Sequence, residues 1–132
     1  MQNTTIHIKR ELQLTADGSH TLFIPEMDEH YHSVNGAVQE SRHVFIEAGL
    51  HHLERRKITI LEIGFGTGLN AFLTLLDAEA CQRKIHYCSI ELYPLGTDVI
   101  ESLNYGEMLC AGRKDVFHAL HQAEWNVAVQ VT

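Results

Sequence analysis

The sequence predicts an α/β fold in which a β-hairpin leads into part of a parallel sheet. Three observations predict it. Polar and apolar residues alternate on either side of an Asp-Gly turn near the N-terminus. A β-branched run, Lys57-Ile58-Thr59-Ile60-Leu61-Glu62-Ile63, passes directly into glycines at 64, 66 and 68. From there strand-like and helix-like segments alternate, which within one sheet demands crossover connections and parallel strands.

Each element follows from local pattern. Glu11-Leu12-Gln13-Leu14-Thr15 alternates, Asp17-Gly18 supplies a tight turn, and His20-Thr21-Leu22-Phe23-Ile24 returns as the second hairpin strand. Pro25 ends that strand, and Pro25 to Asn35 is polar and irregular. Gly36 to Leu53 reads as a helix with Val38, Val44, Phe45, Ala48 and Leu50 on its apolar face. Gly49 weakens that helix near its end. The composition of Lys57 to Ile63 suits a strand buried on both faces. Asn70 to Ala80 is helical, anchored by Phe72, Leu73, Leu75 and Leu76. Lys84 to Ile90 is a second strand ending at Glu91. Pro94-Leu95-Gly96 opens a helix through Leu103, Lys114 to Glu124 is helical, and Asn126 to Val131 is strand-like.

The 132 residues suit one domain. Residues 1–35 form a hairpin and lead-in, and residues 36–132 form a partial sheet-and-helix core. No repeat, linker or low-complexity segment interrupts them. A doubly wound sheet has about five strands or more, whereas only two or three are visible, and the sequence stops at Val131-Thr132 within a strand-like run. A truncated piece of a longer protein is therefore expected.

Composition narrows the function classes. Hydrophobic residues make up 45% and charged residues 20%, ordinary for a globular protein. No apolar run approaches the roughly 20 residues that span a bilayer. Met1-Gln2-Asn3-Thr4-Thr5 lacks the layout of a secretory leader, so a cytoplasmic location is expected. The net charge of −7 argues against a broad electrostatic grip on nucleic acid. Arg55-Arg56-Lys57 and Arg113-Lys114 are the dense basic spots, read as solvated surface rather than nucleic-acid contacts. Cys81, Cys88 and Cys110 match no metal or redox spacing and read as free thiols. Of ten histidines, His30 and His32 alternate and His118 and His121 can share a helix face. A metal site needs three or four converging ligands, so they read as scattered surface residues and no metal is assigned.

The chemistry lies at the glycine loop. A strand ending in glycines brings bare backbone to the carboxyl edge of the sheet, where open α/β folds bind ligands. The helix start beyond it offers unpaired N–H groups. Spacing then separates two cofactor classes. Dinucleotide folds use G-x-G-x-x-G, whose third glycine packs helix on strand. Here that position is Leu69, and the pattern is Glu62-Ile63-Gly64-Phe65-Gly66-Thr67-Gly68-Leu69-Asn70. This acid-x-G-x-G-x-G pattern resembles the first motif of the class I S-adenosylmethionine methyltransferases, whose fold is a Rossmann-like parallel sheet. By that resemblance the loop packs on the adenosyl and methionine portions of the cofactor, and Glu62 helps to place its amino-acid end. Glu91, ending the next strand, can accept hydrogen bonds from both ribose hydroxyls. A dinucleotide site and a plain structural turn are the alternatives.

The flanking stretches narrow the resemblance. Asp17-Gly18-Ser19-His20-Thr21-Leu22, Glu29-His30-Tyr31-His32-Ser33 and Gly36-Ala37-Val38-Gln39-Glu40-Ser41-Arg42-His43-Val44-Phe45-Ile46 precede Gly64-Phe65-Gly66-Thr67-Gly68-Leu69-Asn70. Together they resemble the tRNA wobble-uridine methyltransferases that form 5-methylaminomethyl-2-thiouridine, in their stand-alone type without a fused flavin oxidoreductase domain. The resemblance runs from about Glu11 to Trp125. It implies methyl transfer from S-adenosylmethionine to the aminomethyl nitrogen of the wobble uridine, with tRNA as partner. The amine must be neutral and in line with the methyl group, and positioning supplies much of the rate. In the family an Asp-rich motif after the fourth strand borders the target nitrogen. The sequence ends before it, so the catalytic residues are unknown and this piece is not expected to be active alone.

Tyr31, Glu40 and Ser41 lie in the matching stretches and are candidates to line the pocket. Tyr31 is equally readable as a packing aromatic, and Glu40 as a solvated helix carboxylate. Phe65 packs on the cofactor or caps the core. Asn70 caps its helix, with a second role near the cofactor carboxylate preferred. The cofactor set is thus Glu62, Gly64, Phe65, Gly66, Thr67, Gly68, Asn70, Glu91, Tyr31, Glu40 and Ser41. A competing function is a non-catalytic interaction module, because a partial sheet leaves an edge open to self-association. A nicotinamide enzyme is the weaker third reading.

Overall fold

The computed structural model describes residues 7–132. The stretch read for a leader falls within residues 1–6, outside the described residues. The chain opens as expected with an antiparallel hairpin of β1 (Glu11–Leu14) and β2 (His20–Ile24), in a register that sets Leu14 against His20. Pro25 ends β2, but the lead-in is more ordered than its polarity suggests. A turn with Asp28 at φ 51° sends the chain back, and β3 (Glu29–His30) pairs with β2 as a third antiparallel strand.

The hairpin turn also builds the start of the next helix, α1 (Ala37–Ser41). That helix has no capping side chain of its own. Its first donors are met from the turn: Ala37 N–H by Thr15 Oγ1, Val38 N–H by Ser19 Oγ, and Gln39 N–H by Asp17 Oδ2 at 2.9 Å. Asp17 Oδ1 in turn accepts from Thr15 Oγ1, Ser19 N and Ser19 Oγ. Orphan helix donors that would otherwise be buried unpaired are thus satisfied across 22 residues of sequence.

The single long helix expected over Gly36–Leu53 is not formed. After Ser41 the chain widens into a π-helical segment, Arg42–Glu47, in which Ala48 N–H reaches back five residues to His43 O, and then tightens into a 3-10 turn, Leu50–His52. The extra residue per turn rotates the inward face. Ile46 is buried in place of Phe45, whose exposure is 50%, and Val44 and Ala48 also face outward. Val38 and Leu50 keep their expected inward places.

The second sheet has two parallel strands, β4 (Lys57–Ile63) and β5 (Lys84–Ile90), in register from Lys57 with Lys84 to Ile63 with Ile90. They are joined by α2 (Leu69–Cys81), a right-sized crossover helix whose Leu69, Phe72 and Leu73 are buried. Against the expectation of burial on both faces, helices cover one face of this sheet among the described residues. Ile58 is buried and Ile60 half-buried on the covered face, while Leu61 and Ile63 on the other are 65% and 76% exposed.

Three further helices follow: α3 (Thr97–Ser102), α4 (Tyr105–Cys110) and α5 (Lys114–Gln122). The sequence shows α3 and α5 but not the six-residue α4, which contains a glycine. The core forms where α4 and α5 meet α2. Phe117 lies 5.4 Å from the Phe72 ring and edge-on to Tyr105. Asn126 to Val131 is not a strand. Asn126 sits at φ 64° and no described strand pairs with the segment, so its backbone has no ladder to join. The observed architecture is α/β: a three-stranded antiparallel sheet followed by a parallel pair, consistent with part of a Rossmann-like fold.

Candidate functional site

A cleft of about 760 Å³ opens at the carboxyl end of β4 and runs along the strand, whose second edge pairs with no described strand. The strand delivers Glu62 into it, and the glycine loop forms its floor. Gly64, Gly66 and Gly68 all have positive φ, at 91°, 56° and 78°. At Gly68 the requirement is steric as well as conformational: an added Cβ would sit 2.7 Å from His121 Nε2. Gly68 also starts α2, whose first turn closes by Phe72 N–H donating to Gly68 O.

Two carboxylates flank the loop from adjacent strand ends. Glu91 Oε1 accepts from Gly66 N–H at 2.7 Å, and its Oε2 accepts from Tyr93 N–H at 3.1 Å. Glu62 lies deeper. Burial raises its pKa, and the nearby Glu91 charge adds to that, while hydrogen bonds from Ser89, Tyr87 and Asn70 oppose it. Ser89 Oγ donates to Glu62 Oε1 at 2.8 Å. Partial burial, with Glu62 alongside, pushes the pKa of the half-buried Tyr87 phenol above its ordinary range. Asn70, at the helix start, leaves its Oδ1 buried with no partner. A buried carbonyl oxygen facing a cleft is an acceptor waiting for a donor.

Of the residues expected from the sequence, Glu62, Gly64, Phe65, Gly66, Thr67, Asn70 and Glu91 line this cleft, joined by Tyr31 and Glu40 from the lead-in and α1. The Tyr31 ring lies against Gly66, where an added Cβ would come within 3.3 Å, and its hydroxyl accepts from Arg10 Nε at 2.9 Å. Glu40 Oε1 accepts from Ser33 N–H, tying α1 to the lead-in. Gly68 is buried behind the loop. Ser41 is fully buried on the inward face of α1 with Ala37 and Val38, apart from the residues that line the cleft.

The histidines are a correction to the surface reading. His32 Nε2 and Thr67 Oγ1 are 2.6 Å apart, and His121 Nε2 lies 2.8 Å from Thr67 O. His121 also stacks edge-on against Phe65 and Phe117, with ring centres 5.1 and 5.0 Å away. Two imidazoles from distant segments therefore hold the middle of the glycine loop. Burial lowers the pKa of His32 to about 4, and it lowers that of His121 against an opposing bond to Thr67. Burial thus favours the neutral imidazole in both. His32 lies in a stretch whose family resemblance is legible, but nothing in spacing alone pairs it with Thr67.

The basic spots divide. Arg113 forms a two-pronged pair with Glu79, with Nη2 to Oε1 at 2.8 Å, and Lys114 pairs with Glu107. Arg55, Arg56 and Lys57 are exposed. No helix among the described residues is long and apolar enough to cross a membrane.

Comparison with known proteins decides the relationship. The chain is 36% identical over 99 residues to the tRNA 5-methylaminomethyl-2-thiouridine biosynthesis bifunctional protein MnmC of Magnetococcus marinus, a match over 70% of this chain and 14% of that protein. The chain is a homologue of the MnmC proteins over part of their length. A second MnmC, from Marinomonas, is 30% identical over 115 residues, covering 75% of this chain and 17% of its own length. The crystal structure of MNMC2 from Aquifex aeolicus superposes with a TM-score of 0.60 at 35% identity, over 67% of this chain and 31% of that one. No family model matches. The chain thus spans about a seventh of the first MnmC relative it matches. Those homologues carry a name that refers to tRNA 5-methylaminomethyl-2-thiouridine biosynthesis.

Proposed function

We propose that the cleft binds S-adenosylmethionine and that the chain is the methyl-donor side of a tRNA methyltransferase. The reading rests on one observation above the others. Two carboxylates at the ends of neighbouring parallel strands flank a glycine loop inside one cleft, with an unpartnered Asn70 oxygen beside them. An ionised carboxylate has about four lone-pair sites. Glu91 uses two on Gly66 and Tyr93, which leaves two for a vicinal ribose diol. Glu62 and Asn70 supply acceptors for the ammonium of the amino-acid end. Tyr31 and Phe65 supply aromatic walls, the backbone of Gly64 to Thr67 forms the floor, and Glu40 lies at the rim. The bound cofactor would supply the transferable methyl group. The name of the relatives, which refers to tRNA 5-methylaminomethyl-2-thiouridine biosynthesis, supports reading the acceptor as the aminomethyl group of the wobble 2-thiouridine of tRNA and the location as cytoplasmic.

Calorimetric titration of the chain with S-adenosylmethionine tests the reading. Binding of micromolar to sub-millimolar strength is expected, weakened at least about tenfold by Glu91→Ala or Gly66→Val, with no binding of reduced nicotinamide cofactor. Unchanged affinity in both variants would remove the loop from the site.

One observation favours a second reading, a self-associating module. The edge of β4 that no described strand pairs adjoins an exposed apolar face carrying Leu61, Ile63 and Ile90. Light scattering separates the two: a monomer at all concentrations counts against association.

A further inference from the structure

We propose that His51, Asp77 and Cys81 form a site for a divalent transition metal, with zinc the best match, that clips the 3-10 turn of Leu50–His52 onto α2. The three side chains bring a nitrogen, an oxygen and a sulfur ligand to one place, and all three ligand atoms lie within 4.8 Å of one another. Imidazole, carboxylate and thiolate together suit zinc, where hard oxygen ligands alone would suit magnesium or calcium. The placement follows from the fold. Asp77 and Cys81 are one helical turn apart on α2. His51 arrives from a separate element 26 residues earlier in the chain.

The distances are close to those of an occupied site. His51 Nε2 is 2.6 Å from Asp77 Oδ1, and Cys81 Sγ is 4.0 Å from the same oxygen. Metal–ligand bonds of about 2.0–2.3 Å in a tetrahedron set ligand atoms roughly 3.3–3.6 Å apart. The first contact must open and the second close, each by less than about 1 Å. His51 and Cys81 are exposed and free to make that adjustment, while Asp77 is the anchor, its side chain only 14% exposed. An ordinary His51–Asp77 pair accounts for two of the three groups. The Cys81 Sγ converges on the same Oδ1, so three potential ligand atoms and not two share this place. The fourth position, open to solvent, would take water.

Such a clip has a structural consequence. The 3-10 turn carries Leu50, which lines the cleft, and α2 starts at the glycine loop. Metal binding would therefore fix one wall of the cleft against its floor. None of this depends on which cofactor the cleft takes.

Cobalt(II) is the probe. Titrated into the chain, it should produce a thiolate-to-cobalt charge-transfer band in the near ultraviolet, which zinc then displaces. Cys81→Ser should abolish the band, and His51→Gln and Asp77→Asn should weaken cobalt binding at least about tenfold. Cys88→Ser should leave it unchanged. A readout on the unaltered chain guards against misfolded variants: zinc should slow alkylation of Cys81 by iodoacetamide at least about tenfold, with exposed Cys88 as the unprotected reference. A band that survives Cys81→Ser, the absence of any band, or equal alkylation with and without zinc would overturn the site.

Discussion

Two turns of this chain are built from the same materials, glycine and a carboxylate, and they end in opposite states. The hairpin turn at Asp17-Gly18 spends its carboxylate entirely on its own structure. Burial penalises the Asp17 charge, yet bonds from Ser19, Gln39 and Thr15 outweigh that and lower its pKa to about 2. The loop at Gly64 to Gly68 is flanked by a carboxylate in the contrary condition: Glu62 is half-buried, close to Glu91, and its pKa is raised by that burial. One carboxylate is satisfied by the protein and stabilises it. The other is held at a cost to the protein, as expected of a group kept for something outside it.

The comparison can be broken at its strongest point first. Asp17→Ala removes the acceptor for Ser19 and Gln39 at once and should cost about 4 kcal/mol of stability, read as a lower urea midpoint. A loss below about 1 kcal/mol would mean the turn is held by something else. The next effect is one of pH. The folded pKa of His32 is lowered to about 4 from 6.5. The unfolded chain therefore takes up this proton first as pH falls. The stability His32 supplies is complete above about 6.5 and is lost as pH falls through about 4, on the order of 3 kcal/mol in all. His121 acts in the same direction. Urea unfolding at neutral pH and near the lower value measures the loss, and His32→Gln should flatten the slope. Asp17 loses its share only further down, as pH falls from 3.8 through about 2.

Smaller effects sharpen the loop itself. Alanine at Gly68 should be worse than at Gly66, and Gly66 worse than Gly64. All three share the positive-φ cost of about 1–2 kcal/mol, but the added Cβ meets His121 at 2.7 Å, Tyr31 at 3.3 Å, and nothing within 4 Å, respectively. Equal losses in melting temperature would show that the clamp does not press on the loop. The smallest effect carries the opposite sign. Because the Glu62 pKa is raised, its ionised form opposes folding at neutral pH. Glu62→Gln should raise the melting temperature by a few degrees while weakening S-adenosylmethionine binding. A fall in melting temperature would place Glu62 with Asp17 as a structural carboxylate.

What was legible in the sequence was whatever depends on neighbours in the chain. The Asp17-Gly18 hairpin, both parallel strands, α2 and the residues of the glycine loop are local patterns, and the structure has them within a residue or two. What was not legible depends on distant partners. The lead-in acquires β3 because β2 has an edge to offer, and Asn126 to Val131 stays irregular because no described strand offers one. Burial on both faces was inferred for β4 from composition, but one face remains open, since apolar residues reveal a preference and not a cover. In the candidate site, the strand-end acids follow from the motif. The hold of His32 and His121 on Thr67 joins residues 35 and 54 positions away and leaves no trace in spacing.

The π-helical segment at Arg42–Glu47 changes the count of residues between two fixed points. In a plain α-helix, the fourth residue after buried Ser41 would point inward, and that residue is Phe45. The widened turn passes that duty to Ile46 and leaves Phe45 on the cleft wall. A one-residue deletion between Ser41 and Leu50 would let the helix close its regular bonds at the expense of that wall. Selection on the cleft would therefore act on chain length here as strongly as on side-chain identity.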